Sequence, residues 1–203
     1  MRFHNKAKDY LKVCSFGLVA GLFSRFIHFF PSGNLWTVSS LVTFYGLWII
    51  CASVLIWRST SHLSAGFNVL LFFLVTDTVY HATTFLLGII APSFGFNGFH
   101  AQQFLYYAIA SIVCGVIAFV LYSWSHSNWY SAIALAIPIG LLAAETMTVL
   151  QLLQNYQTHL LQLLLNAGFC LYLGLQFRKL TKYKELYTVS VILILGLSYQ
   201  YLF

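Results

Sequence analysis

Seven apolar stretches of membrane-crossing length, separated by short gaps, leave this chain little choice of fold. They are Leu11–Phe30, Leu35–Trp57, Ala65–Ile90, Ala101–Trp124, Trp129–Leu153, Thr158–Phe177 and Tyr187–Phe203. A helix needs about 20 mostly apolar residues to cross the hydrocarbon core of a bilayer. The runs are continuous and do not alternate apolar and polar with period two, which predicts helices and argues against a barrel. Only 7% of the residues are charged and 60% are hydrophobic, too little charge to cover the surface of a soluble domain of this length. The expected fold class is therefore all-α, a polytopic transmembrane helical bundle with seven spans. Residues 1–203 are read as a single integral membrane domain.

The positive charges predict its orientation. The N-terminal end carries Arg2, Lys6, Lys8 and Lys12, Arg58 follows the second span, and Arg178, Lys179, Lys182 and Lys184 follow the sixth. The loops 31–34, 92–99 and 154–157 carry no Lys or Arg. The positive-inside rule then puts the N-terminus in the cytoplasm and, with seven spans, the C-terminus outside. Topology accounts for the net charge of +6, and no aromatic-basic groove pattern points to nucleic acid. The expected partner is the lipid bilayer, whose anionic headgroups suit the same basic residues. Arg25 interrupts the first apolar run and no small-x-small cleavage site follows, so that span is read as retained. Trp36, Trp57, Trp124 and Trp129 fall at span ends, as interfacial anchors do. Cys14, Cys51, Cys114 and Cys170 each lie within a span and form no CxxC, which fits buried thiols.

Small residues predict where helices approach closely. Gly17 and Gly21 make a GxxxG in span one, and Ala132, Ala136, Gly140 and Ala144 form a stripe in span five, beside a kink expected at Pro138. Packing within the chain is one use of these stripes; a homo-oligomer or a membrane partner is the other.

Chemistry concentrates in few places. A charge at the centre of a spanning helix costs about 2.5–3.5 kcal/mol on insertion scales, so each one needs a reason. Asp77 and His81, at i and i+4, share a face of span three among Thr76, Thr78, Tyr80, Thr83 and Thr84. Glu145 lies in span five beside Thr146 and Thr148, and Arg25 lies in span one with His28 one turn on. With spans one, three and five running outward, Arg25, His28, His81 and Glu145 fall in the outer half and Asp77 near the middle. His100 and His159 open spans four and six at the outer surface. This predicts a polar, water-accessible cavity facing outward; pairing of Arg25 with Asp77 or Glu145 purely for structure is the competing reading. His4, His62 and His126 read as solvated or turn residues, and Asn68, Gln162 and Asn166 as interhelical hydrogen-bonding groups. The aromatic loop Pro92–Phe99 reads as interfacial.

The expected function is a transporter or transport-accessory protein. In it Asp77 binds a proton or cation, His81 is its coupled partner, Glu145 is a second carboxylate, and Arg25 is a counter-ion or anion contact. A membrane-embedded metal-dependent enzyme using Asp77, His81, Glu145 and an outer histidine is the alternative, and a non-catalytic partner subunit is a third. HExxH, GxSxG and P-loop motifs are all missing, so no catalytic residue, metal or cofactor is assigned.

Trp36, Gly46-Leu-Trp48, Arg58 and the run Ala65 to Phe73 give the chain a resemblance to a family of small bacterial membrane proteins of unknown function. The resemblance covers about a third of the chain. Such proteins carry an aromatic pair near Tyr80 and His81, where this chain has histidine at the second position. The resemblance implies a bacterial cytoplasmic membrane and brings no activity with it.

Overall fold

A computed structural model of the protein describes Phe3 and residues 6–91, 99–125 and 128–201, with the side chains of 124 and 125 excepted. Arg2, His4, His126, the Trp124 side chain and nearly all of the Pro92–Phe99 loop lie outside the described residues. Within them the chain is helical and contains no strand. The helices are α1 (Ala7–Ile27), α2 (Ser40–Thr43), α3 (Gly46–Arg58), α4 (His62–Ile90), α5 (Ala101–Leu121), α6 (Trp129–Tyr156), α7 (Leu160–Leu180) and α8 (Lys184–Tyr201), with a 3₁₀ turn at Tyr122–Ser125. Five of them, α1, α4, α5, α6 and α7, are long and apolar enough to cross a membrane. Their outward faces carry exposed Leu, Ile, Val and Phe, such as Ile90 at 77% exposure and Leu171 at 69%. A water-soluble surface does not look like this; a membrane protein's does.

The continuous helix expected over Leu35–Trp57 does not form. A turn region precedes the one-turn α2, Phe44 is extended (φ −87°, ψ 161°), and α3 restarts at Gly46. Hydroxyl and amide side chains take over backbone partners here. The Thr37 N–H donates to Asn34 Oδ1 at 2.7 Å, Ser40 Oγ to Thr37 O at 2.7 Å and Thr43 Oγ1 to Ser39 O at 2.9 Å. Such local bonds compete with a regular helix. Trp48 Nε1 then donates to Val42 O at 3.0 Å, satisfying a carbonyl that the interruption frees. The 13 residues of α3 span roughly 20 Å, less than a bilayer core of about 30 Å.

The helices gather into two compact units. The first comprises Met1–Phe29 and Leu55–Val120. In it α1 packs on α4 through a row at four-residue spacing: Asp9, Val13, Gly17, Gly21 and Arg25, all buried. Cβ atoms built on Gly17 and Gly21 would stand 2.8 Å from Phe72 O and 2.6 Å from Thr76 O, so glycine is what lets the two backbones touch. Thr76 Oγ1 sits at this crossing, within 2.7 Å of Phe72 O and 3.2 Å of Gly17 O. A second close crossing brings Gly66 of α4 against Gly115 of α5. The N-terminus is tied down at Phe3, whose N–H donates to Arg58 O at 2.7 Å and whose carbonyl accepts from Thr60 Oγ1 at 2.8 Å. Asn68, expected to bond between helices, donates instead to Ser59 Oγ at 2.9 Å and Ser64 Oγ at 3.2 Å.

The second unit comprises Phe30–Val54 and Leu121–Phe203, and α6 is its axis. More than half of the apolar window of α6 is buried (56%), against 22% for α7. Ala132, Ala136, Gly140 and Ala144 all lie on its buried side, and α8 closes on Gly140 with Ile194 Cβ 2.7 Å from where a Cβ would stand. The chain therefore uses both small-residue stripes to pack its own helices, leaving Gly17, Gly21, Ala132, Ala136, Gly140 and Ala144 covered. At the far end of α6, Gln157 and His159 adopt left-handed conformations (φ 54° and 68°), and Leu160 N donates to Leu35 O at 2.9 Å.

Candidate functional site

Each unit holds a cluster of buried polar groups around an acidic side chain. In the first, the row that seats α1 on α4 continues one turn beyond Gly21 to Arg25, which is 4% exposed and sets its guanidinium 5.1 Å from the Phe29 ring centre. Asp77 and His81 occupy the buried face of α4 at 9% and 2% exposure. Asp77 Oδ1 lies 3.2 Å from His81 Nε2, an ion-pair distance without the alignment of a hydrogen bond, and Asp77 Oδ2 has no hydrogen-bond partner among the described residues. The pairing of Asp77 with Arg25 considered from sequence is not formed: Asp77 meets the imidazole of its own helix.

Aromatic rings enclose that imidazole. Tyr80, Phe104, Phe99 and Tyr107 stand with ring centroids 5.3, 5.8, 5.9 and 6.3 Å from His81. Tyr80 also contacts His28 at 6.1 Å, so rings run from His28 through Tyr80 to His81 and on to α5. His100 is exposed beside α5 and close enough to act on His81 electrostatically. Phe104 and Tyr107 escaped the sequence reading because aromatics abound in this chain and nothing local distinguishes these two. A carboxylate–imidazole pair held in an apolar ring of aromatics can accept or pass a single proton and can hold a small cation at the free carboxylate oxygen. It offers two metal donors, fewer than a zinc site needs. Among the described residues no group of three or more His, Cys, Asp or Glu gathers for a metal ion, so the metal-enzyme constellation proposed from sequence is not assembled there.

In the second unit Glu145 of α6 is fully buried, as are Gln162 and Asn166 of α7. The Glu145 carboxylate faces the backbone N–H groups of Tyr45 and Gly46, the first groups of α3, and the Asn166 side chain. Neither carboxylate oxygen completes a hydrogen bond of ordinary geometry, and Asn166 Nδ2 and Gln162 Oε1 are likewise unsatisfied among the described residues. Asn166 Oδ1 accepts from Gln162 Nε2 at 2.9 Å, so these two amides pair along one helix face while Asn166 also faces the carboxylate of α6. Gly46 lies close under this cluster: a Cβ there would meet Asn166 Oδ1 and come 2.7 Å from Glu145 Oε2, so those side-chain ends would have to move. His159 caps this end, its ring 5.3 Å from Phe44 and its Nδ1 without a hydrogen-bond partner among the described residues. The interruption of span two and the burial of Glu145 are thus one feature. N–H groups at a helix start carry a partial positive charge, and the carboxylate is the anion set against them.

Compared with protein-family models, with curated proteins and with solved structures, the chain matches none.

Proposed function

We propose that this chain is a multi-pass protein of a bacterial cytoplasmic membrane that takes part in transport, with the Asp77–His81 pair as its proton- or cation-handling site. The observation that carries the reading is the pair itself: a carboxylate and an imidazole 3.2 Å apart, both buried, with one carboxylate oxygen unused. Ionisable groups within membrane helices are rare and costly, and they mark substrate, ion and proton paths. Arg25, on the helix that packs against α4, supplies positive charge to the same unit, and His28 reaches the pair through Tyr80. Seven crossings with the N-terminus cytoplasmic and the C-terminus outside suit the one-sided lysines and arginines; they require α3 and α8 to cross along with the five long helices. In that orientation the pair is reached from outside.

The test is flux. The purified protein in proteoliposomes is expected to move protons or a monovalent cation down an imposed gradient, Asp77→Asn to abolish that flux and His81→Ala to reduce it at least tenfold. Helicity and monodispersity should stay those of the parent. Undiminished flux in folded Asp77→Asn rejects the assignment.

A further inference from the structure

We infer that Glu145 is a reversible proton-binding site, separate from the Asp77–His81 pair, whose ionised form holds the start of α3 and whose protonated form releases it. The unsatisfied atoms of the carboxylate and the two amides are three acceptors, Glu145 Oε1 and Oε2 and Gln162 Oε1, against one donor, Asn166 Nδ2, and His159 Nδ1 at the edge of the cluster is unsatisfied as well. A species that brings a donor or a positive charge is missing. The space limits what it can be. The three side chains are fully buried, and the point where a Cβ on Gly46 would lie is already crowded by Asn166 and Glu145. The proton is the ligand that needs no room.

Among the described residues of this unit no fixed cation lies at the carboxylate. The other charged residues described in this unit are Arg178, Lys179, Lys182, Lys184 and Glu185, all gathered around the turn between α7 and α8. Arg178 is 12 residues along α7 from Asn166, roughly 18 Å at the helical rise. From α3 the facing groups are the Tyr45 and Gly46 N–H; from α7 they are the Gln162 and Asn166 amides, with His159 at its start. On the α8 side, Tyr199 bonds Gln151, more than one turn of α6 beyond Glu145. Among the described residues of this unit, the charge of Glu145 is therefore met by backbone N–H and side-chain amide dipoles and not by a cation. Taking up one proton from water removes that charge, and with it the attraction between the carboxylate and the start of α3. A carboxylate at a helix start changes the helix equilibrium by about tenfold.

The chain makes this measurable, because it contains only two glutamates, Glu145 and the exposed Glu185. Protein carrying Glu185→Gln, labelled with carboxyl-¹³C glutamate and held in lipid nanodiscs, then reports one carboxyl resonance. That resonance is expected to pass between ionised and protonated positions as pH falls. Over the same interval, amide hydrogen exchange at Gly46–Ile49 should rise about tenfold above its intrinsic pH dependence. Glu145→Gln should exchange at the faster rate at neutral pH. A resonance locked in one form across the range in which the protein stays folded overturns the inference, and so does exchange at α3 that ignores the state of Glu145. If Glu145→Gln fails to fold, the titration of the labelled parent still decides. Proteoliposome flux through Asp77 and His81 is read separately, so the two assignments stand or fall apart.

Discussion

Replacing Gly21 by alanine tests the packing on which the first unit's site depends. The new Cβ would stand 2.6 Å from Thr76 O and 2.8 Å from Val79 Cβ, roughly 0.6–0.8 Å short of ordinary van der Waals contact. Thr76 O is helix backbone and cannot rotate away, so α1 must shift or tilt. Overpacking of this kind costs about 1–3 kcal/mol, offset by at most ~1 kcal/mol from alanine's better helix propensity. A net loss of about 1–2 kcal/mol is expected in reversible unfolding from bicelles. Gly17→Ala, at 2.8 Å from Phe72 O, should lose slightly less. Gly196→Ala is the control: nothing lies within 4 Å of its added Cβ, and its stability should hold or rise. Because the contact is within one chain, the loss at Gly21 should not depend on protein concentration. Stability of Gly21→Ala equal to the parent's, or a loss that fades on dilution into the monomer, would refute the reasoning.

Further outcomes follow from the same geometry. Gly46→Ala displaces the buried ends of Asn166 and Glu145 and should destabilise the protein by about 1–3 kcal/mol, whereas Gly168→Ala, with open space around it, should be harmless in the same unfolding assay. Asn68→Ala removes two buried hydrogen bonds and should cost about 1–2 kcal/mol, with faster proteolysis near Phe3 as the local sign. Phe104→Ala takes one wall from around His81; histidine-selective ¹⁵N spectra should then show faster exchange of the His81 ring N–H with water, and an unchanged ring would remove the aromatic enclosure from the argument. For topology, an impermeant thiol reagent outside intact cells should label Gly33→Cys and not Lys182→Cys; the reverse pattern would invert the orientation.

The resolution of the sequence reading differs from element to element. Six of the seven apolar runs became helices within a few residues of their expected ends, because a long apolar run near lipid has no better way to satisfy its backbone. The seventh, Leu35–Trp57, is as apolar as the others, and its interruption depends on hydroxyl–backbone bonds and on a carboxylate contributed by α6. Gly17 and Gly21 were legible as a contact ridge because their spacing is that of one helix face; the partner they meet was not. Gly66 and Gly115 have no second glycine within two turns on their helices, and an isolated glycine has no period to read.

The candidate site divides the same way. Asp77 and His81 were legible as a pair because i and i+4 on a helix are neighbours before any tertiary structure forms. Glu145 was visible as a charge in an apolar run, but its neighbours Gly46, Gln162 and Asn166 are between 17 and 99 positions away in sequence and came together only by packing. By itself the sequence determined that this is a helical membrane protein, roughly where its helices lie and which residues are too polar to be there without a purpose; those properties depend on composition and short-range period. Only the tertiary structure decided which helix each glycine ridge seats, that Asp77 meets an imidazole and not a guanidinium, and that a buried glutamate sits at the start of a broken helix. Those depend on which side chains from distant parts of the chain reach the same few ångströms, a matter of packing that no local pattern encodes.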